Sequence, residues 1–234
     1  MEKIFENDAY IKEFESEITE INQNNKTVKL EKTAFYARSG GQPGDIGELE
    51  LDGETILVED TIKEENSIVH IVEDLKNLEI GKKIKGLINW EKRYRHMKMH
   101  SALHLLCSII PLDVTGGQIG FEKSRLDFND PEKIMNKEEI EEKINKIIKE
   151  NHKITNELID SKILDEKPEI VRTMSVKPPR TQGKIRLVKI GNNIDLQPCG
   201  GTHVLNTSEI GTVFVSKIEN KGRMNRRINI KIND

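Results

Sequence analysis

Residues 90–111 read Trp90-Glu91-Lys92-Arg93-Tyr94-Arg95-His96-Met97-Lys98-Met99-His100-Ser101-Ala102-Leu103-His104-Leu105-Leu106-Cys107-Ser108-Ile109-Ile110-Pro111. Here the pattern of the chain changes. Apolar residues recur at Met99, Ala102, Leu103, Leu106 and Ile110, the spacing of a helix, and Pro111 marks its end. The residues before this stretch read differently. Val28 and Leu30 alternate with Thr27, Lys29 and Glu31, and Ile68, Val69, Ile71 and Val72 form a short apolar run. Leu49 and Leu51 precede Asp52-Gly53, a two-residue hairpin signal, with Ile56 and Val58 after it. Short strands separated by turn residues predict a small antiparallel β-barrel over residues 1–88.

Beyond the helix, residues 89–234 mix both periods and predict an α/β domain, so the chain is α+β. Asn136 is placed to cap a second helix with Glu139 three residues on, and Ile140, Ile144 and Ile147 supply its apolar stripe. Acids crowd its first turns and Lys146 and Lys149 its last, as the helix dipole favours. Ile228, Ile230 and Ile232 return to strand alternation.

The 234 residues suffice for one large domain or two modest ones with a buried core. No apolar run approaches the ~20 residues of a membrane helix, and the acidic start carries no secretory h-region. Two cysteines far apart make no disulfide framework, which points to a reducing cytoplasm. The formal net charge of −3 gives no global sign of nucleic-acid binding, so any RNA contact has to come from local patches. One such patch runs from Lys217 to Lys231, where six basic residues face the single acid Glu219.

His100 and His104 lie four apart, so both imidazoles leave one helix face. Alone such a pair is ordinary. Nearly a hundred residues downstream stands Cys199-Gly200-Gly201-Thr202-His203, whose glycines permit a tight backbone path between sulfur and ring nitrogen. Thiolate and imidazole together select zinc over magnesium or calcium, which prefer oxygen. Four tight protein ligands make a closed structural site, whereas catalysis requires a loose ligand or expansion to five-coordination. The sequence leaves both open. His96 shares the helix face, but the downstream pair already completes the set. Asp195, just before Cys199, is positioned to orient a histidine ligand. Cys107 reads as core packing, and His70 and His152 carry no assigned function.

These motifs resemble those of the alanyl-tRNA editing family. His100 to Leu106 is similar to its helix motif, Cys199 to His203 to its second motif, and Thr33 to Gly47 to its glycine-rich segment. The Arg125-Leu126-Asp127-Phe128 run and the basic stretch around Arg223, Arg226 and Arg227 also fit, and the resemblance spans about the whole chain in the expected order. Ser39 stands where a glycine is common, and Ser101 where threonine is common, which keeps the hydroxyl. The resemblance implies an N-terminal β-barrel joined to an editing domain of the alanyl/threonyl-tRNA synthetase type. It implies the medium-length, trans-acting form, without a synthetase catalytic domain. The implied activity is zinc-dependent hydrolysis of tRNA(Ala) mischarged with serine or glycine. By the same resemblance, Gln42, with Gly40 and Gly41 letting a ligand approach the backbone, contacts the substrate or the terminal adenosine. Thr33 helps tell a serine side chain from alanine, and Arg223, Arg226 and Arg227 track tRNA phosphates.

Two other readings compete. Gly-Gly-Gln occurs at 40–42 and 116–118, a triplet that peptide-release factors also use on an ester of tRNA. A non-catalytic zinc-containing RNA-binding module would need only closed coordination.

Overall fold

The structure, a computed structural model, describes residues 1–65, 67–132, 134–166, 170–171 and 183–233. It divides into two compact units, Met1–Arg95 and His96–Asp234. The first holds β1 (Glu2–Lys3), α1 (Ile4–Asn7), β2 (Glu13–Asn22), β3 (Thr27–Leu30), β4 (Lys32–Thr33), β5 (Gly47–Leu51), β6 (Glu54–Glu64), β7 (Ser67–Val72) and β8 (Lys83–Ile88). Helix α2 (Trp90–Ile109) contains the division between the units.

Six strands close into a barrel in the order β2-β3-β7-β6-β5-β8, every pair antiparallel. Closure leaves the barrel without the open edge that strands elsewhere have to protect. The expected hairpin joins β5 to β6. Asp52 and Gly53 have φ of 52° and 85°, the double positive geometry that matches the twist of paired strands. Phe14, Ile18, Val28, Leu30, Phe35 and Leu49 lie in one buried cluster inside this unit. Gly47 is required there by space, because a Cβ would stand 2.0 Å from the Leu87 carbonyl oxygen.

A buried ion pair ties the barrel's connecting segment to the start of α2. Arg93 Nε lies 3.0 and 2.9 Å from the two Asp45 oxygens, and Nη2 also meets Asp45. Nη1 donates to the Ala9 carbonyl and Nη2 to that of Ala34, and Asp45 also accepts the Tyr36 N–H. Both ionic groups are out of solvent, with Arg93 at 0% exposure.

The second unit continues with β9 (Val114–Gln118), β10 (Ser124–Asn129), α3 (Lys137–Lys149), β11 (Ile154–Asp160), α4 (Ile163–Glu166), β12 (Lys184–Ile190), β13 (Asp195–Pro198), a 3₁₀ turn (Thr207–Ile210), β14 (Thr212–Lys221) and β15 (Asn225–Asn233). Its sheets run β14-β15-β10-β9 and β11-β12-β13. From His96 to Cys107 every residue of α2 except Lys98 is buried, where the sequence predicts a one-sided stripe. A helix buried on all sides lies within a core, so its polar side chains, His96, His100, Ser101 and His104 among them, are buried with it.

Helix α3 starts as predicted, with the Asn136 side chain accepting the Glu139 N–H at 2.9 Å, while the Glu139 carboxylate pairs with Lys143. Its buried row is Ile140, Ile144 and Ile148, and Ile147 is only half-buried. Steps of four keep a side chain on one ridge, and Ile147 falls off that ridge. The helix also occupies the edge of β14: Asn145 bonds both the N–H and the carbonyl of Val213, and Glu141 accepts the Val215 N–H. Those are the backbone groups that an edge strand otherwise leaves unpaired.

Candidate metal centre

Two pieces of chain bring the second unit's reactive side chains together. Helix α2 presents His100 and His104, one turn apart, with ring centroids separated by 5.3 Å. Strand β13 ends at Pro198, and the segment after it carries Cys199 and His203. The donor atoms of His100, His104, Cys199 and His203 all lie within 4.8 Å of one another. The sulfur of Cys199 stands 3.5 Å from His100 Nε2 and 3.3 Å from His203 Nε2. Three of the four residues are buried and Cys199 is half-buried. His96, also buried, is not in this group.

The surrounding polar groups aim these donors. Asp195 lies on the same strand that delivers Cys199, and its Oδ2 is 2.8 Å from His104 Nδ1. A carboxylate there accepts the Nδ1 hydrogen and leaves Nε2 for the cluster. Gln197 donates to the other Asp195 oxygen at 2.7 Å. The Gly201 N–H donates to the Cys199 sulfur at 3.3 Å. Arg186 on β12 crosses the segment after β13: its Nη1 donates to the carbonyls of Cys199 (2.8 Å) and Gly201 (3.0 Å). The Cys199 N–H in turn donates to the Arg186 carbonyl at 3.0 Å. Ser101, fully buried, has its Oγ 3.3 Å from His203 Nδ1. From the sequence Arg186 drew no mention, and Ser101 no role beyond its hydroxyl. Ser101 was legible as a hydroxyl inside the histidine motif, but no sequence signal pairs Arg186 with a segment thirteen residues on.

Burial raises the Cys199 thiol, but the charges of His100 and His203 outweigh it and hold the thiol well below its ordinary value. Burial opposes the charge on His104, yet Asp195 and Cys199 raise it to about 10. Burial, reinforced by His100, pushes His203 well below the usual imidazole value. These directions pair a Cys199 thiolate with a protonated His104, and a bound metal ion would take the place of that proton, because ligating imidazoles are neutral.

Gly40, Gly41, Gln42 and Thr33 belong to the first unit and are described within it. Gly40 and Gly41, with φ of 57° and 83°, form an exposed tight turn in which Ser39 and Gln42 exchange backbone hydrogen bonds of 3.1 and 2.9 Å. Gln42 itself is buried. Thr33 is fully buried, with its hydroxyl 2.9 Å from His70 Nε2 and accepting the Phe35 N–H at 3.1 Å. His70 Nδ1 lies 3.0 Å from the Val28 carbonyl, and burial lowers the ring to about 4 despite that bond. The second Gly-Gly-Gln triplet, at 116–118, lies in the edge strand β9, paired with β10.

The basic stretch forms the β14–β15 hairpin. Arg223 is exposed in its turn and Arg226 is half-buried. Arg227 grips Asp127 with two bonds of 2.7 and 2.9 Å, and Arg125 reaches the same carboxylate at 2.7 Å. Lys217 pairs with Glu219 at 2.9 Å. Part of the local positive charge is therefore met within the sheet.

Residues 3–92 match the family described as tRNA synthetases class II (A), and residues 185–229 the one described as the threonyl and alanyl tRNA synthetase second additional domain. The chain is 36% identical to the alanyl-tRNA editing protein AlaX-M of Methanosarcina mazei, covering 97% of this chain and 94% of that protein. Its identity to AlaX-M of Saccharolobus solfataricus is also 36%, covering 97% of each. Against the alanyl-tRNA editing protein AlaX-L of Pyrococcus horikoshii it is 33%, over 95% of this chain and 56% of that protein.

Proposed function

We propose that this chain, which belongs to the family of alanyl-tRNA editing proteins, removes serine or glycine wrongly esterified to tRNA(Ala), with zinc held by His100, His104, Cys199 and His203. The observation that carries this reading is the spacing of the donors. Metal bonds of about 2.0–2.1 Å to nitrogen and 2.3 Å to sulfur give a tetrahedron with edges of ~3.3–3.6 Å. Cys199 Sγ stands 3.5 and 3.3 Å from two imidazole nitrogens, which matches those edges, and all four donors lie within 4.8 Å of one another, so the set supports the reading in chemistry and, at the sulfur, in size.

The reaction is attack of water on the ester carbonyl; the bond to the ribose oxygen breaks, and that oxygen takes a proton. Zinc held by His100, His104, Cys199 and His203 would supply Lewis-acid chemistry for that attack. The chain's own part is to keep the donors ready. Asp195 fixes the His104 tautomer, the Gly201 N–H and the neighbouring histidines hold Cys199 as thiolate, and Arg186 keeps the segment folded. Gln42 and Thr33 are proposed substrate contacts on the strength of the family resemblance. Editing of this kind answers a real chemical limit, because a pocket for alanine rejects an added hydroxyl poorly.

The expected result is that seryl-tRNA(Ala) is deacylated at least tenfold faster than alanyl-tRNA(Ala). Parallel single-turnover assays of both substrates check it. Equal rates would make the enzyme a general esterase. One observation favours a second reading: four protein donors within 4.8 Å suffice to close a structural site. Tightly held zinc with no hydrolysis of either substrate would assign the chain to zinc-containing RNA binding instead.

The hairpin adds a prediction about tRNA. Arg223→Gln is expected to weaken binding and reduce the salt slope by about 1, whereas Arg227→Gln should change the slope less, since Arg227 already spends its charge on Asp127. Binding titrations across salt concentrations check both. A larger slope change for Arg227 would remove the hairpin turn as the phosphate contact.

A further inference from the structure

The ligand set proposed above leaves one question that the geometry answers: what orients His203. Asp195 accepts from His104 Nδ1. Among the described residues no carboxylate stands at the corresponding place of His203; Ser101 Oγ lies 3.3 Å from its Nδ1. His203 Nε2, on the other side of the ring, faces the Cys199 sulfur at 3.3 Å. The same Ser101 oxygen accepts the Val204 N–H, also at 3.3 Å. One buried hydroxyl therefore touches both the ring of His203 and the backbone of the next residue.

We propose that Ser101 is the positioning residue for His203: its hydroxyl oxygen, anchored by the Val204 N–H, accepts the Nδ1 hydrogen and leaves Nε2 bare toward the metal. The reasoning is a proton count. A neutral imidazole carries one N–H, and a ligating Nε2 cannot carry it. The hydrogen is then on Nδ1, in a buried place, where it needs an acceptor. Oγ has two lone pairs, of which Val204 uses one, so the second is available to Nδ1. A helix position one residue after His100 thus serves a ligand 102 residues further along the chain.

This inference rests on the proposed zinc site, and its test separates the two. Zinc affinity of the whole chain of 234 residues is measured by competition with a chromogenic chelator, together with the thermal stability of each metal-free variant. Ser101→Ala is expected to weaken zinc about 10–100-fold, the usual effect of removing a group that orients a ligand. Ser101→Thr, which keeps the hydroxyl, is expected to retain affinity within about threefold of the unmodified chain. With 15N-labelled histidine and zinc present, the Nδ1-bound proton of His203 should exchange slowly in the unmodified chain and in Ser101→Thr, and rapidly in Ser101→Ala. If His203→Ala loses zinc while Ser101→Ala binds as tightly as the unmodified chain, the ligand set stands and Ser101 has no such part. If His203→Ala keeps full zinc affinity, His203 is not a ligand and both fall. Equal weakening in Ser101→Ala and Ser101→Thr would also overturn the assignment, since the hydroxyl would then not be what matters.

Discussion

Replacing Cys199 with alanine is expected to strip the protein of zinc and to slow deacylation of seryl-tRNA(Ala) by on the order of a thousandfold or more. Cys199 is the one sulfur in the cluster, and two imidazole nitrogens lie within 3.5 Å of it. Its removal takes away the only anionic ligand, so three neutral imidazoles are left to hold a divalent ion. A metal beside the ester contributes several kcal/mol of transition-state stabilisation, and each 1.36 kcal/mol is about a factor of ten in rate. The alanine side chain also leaves the Gly201 N–H without its sulfur acceptor, which loosens the segment that carries His203. Elemental analysis of protein purified without added metal gives the zinc content, and single-turnover deacylation gives the rate. A zinc-free Cys199→Ala protein with undiminished rate would remove the metal from the chemistry, and with it the proposed site.

Asp45→Ala should be the most damaging single change to the barrel unit, costing about 3–5 kcal/mol of stability. The size follows from what remains. Arg93 is entirely buried, and without Asp45 its Nε hydrogen loses the acceptor it has among the described residues while its charge stays in the interior. The two carbonyls of Ala9 and Ala34 still accept from Nη1 and Nη2, but they carry no opposing charge. The Tyr36 N–H loses its partner as well, and an unpaired buried donor adds ~1–3 kcal/mol. Denaturant unfolding followed by circular dichroism checks the figure. A loss below about 1 kcal/mol would mean that the guanidinium finds water, and that this pair is not what holds the segment to α2. The double change to Asp45→Leu and Arg93→Met is expected to be milder than either charge removal alone, because no buried charge is then left unmatched.

Local chemistry accounts for what the sequence made legible. The Asp52-Gly53 turn, the helix before Pro111, the Asn136 cap and the alternation of Ile228, Ile230 and Ile232 each depend on residues a few positions apart. The His100/His104 spacing and the Cys199 segment were readable for the same reason, since helix pitch and a short turn decide where those donors point. The order of strands around the barrel was not readable. It depends on which apolar faces meet, and β2 pairs with β8 across most of the unit's length. The partners of single polar residues were hidden likewise. Arg93 finds Asp45 forty-eight positions away, and Asp127 quiets Arg227 from a hundred. A run of basic residues therefore read as free positive charge, although part of it is met across the sheet. His70 showed nothing in sequence because its neighbours in the chain are plain strand residues; the contact with Thr33 exists only once β4 and β7 are in place.

The four donors of the metal centre arrive from two distant parts of the chain, two on α2 and two beyond β13. An ion held there closes a loop of roughly a hundred residues, and the entropy of such a closure grows only slowly with length. It works as a cross-link, comparable in reach to a long-range disulfide but reversible and set by supply rather than by redox potential. Binding to the folded form alone stabilises by an amount that rises about 1.4 kcal/mol for each tenfold excess of free metal over the dissociation constant. The second unit would then have no fixed stability of its own, and its folded fraction would follow the free zinc around it.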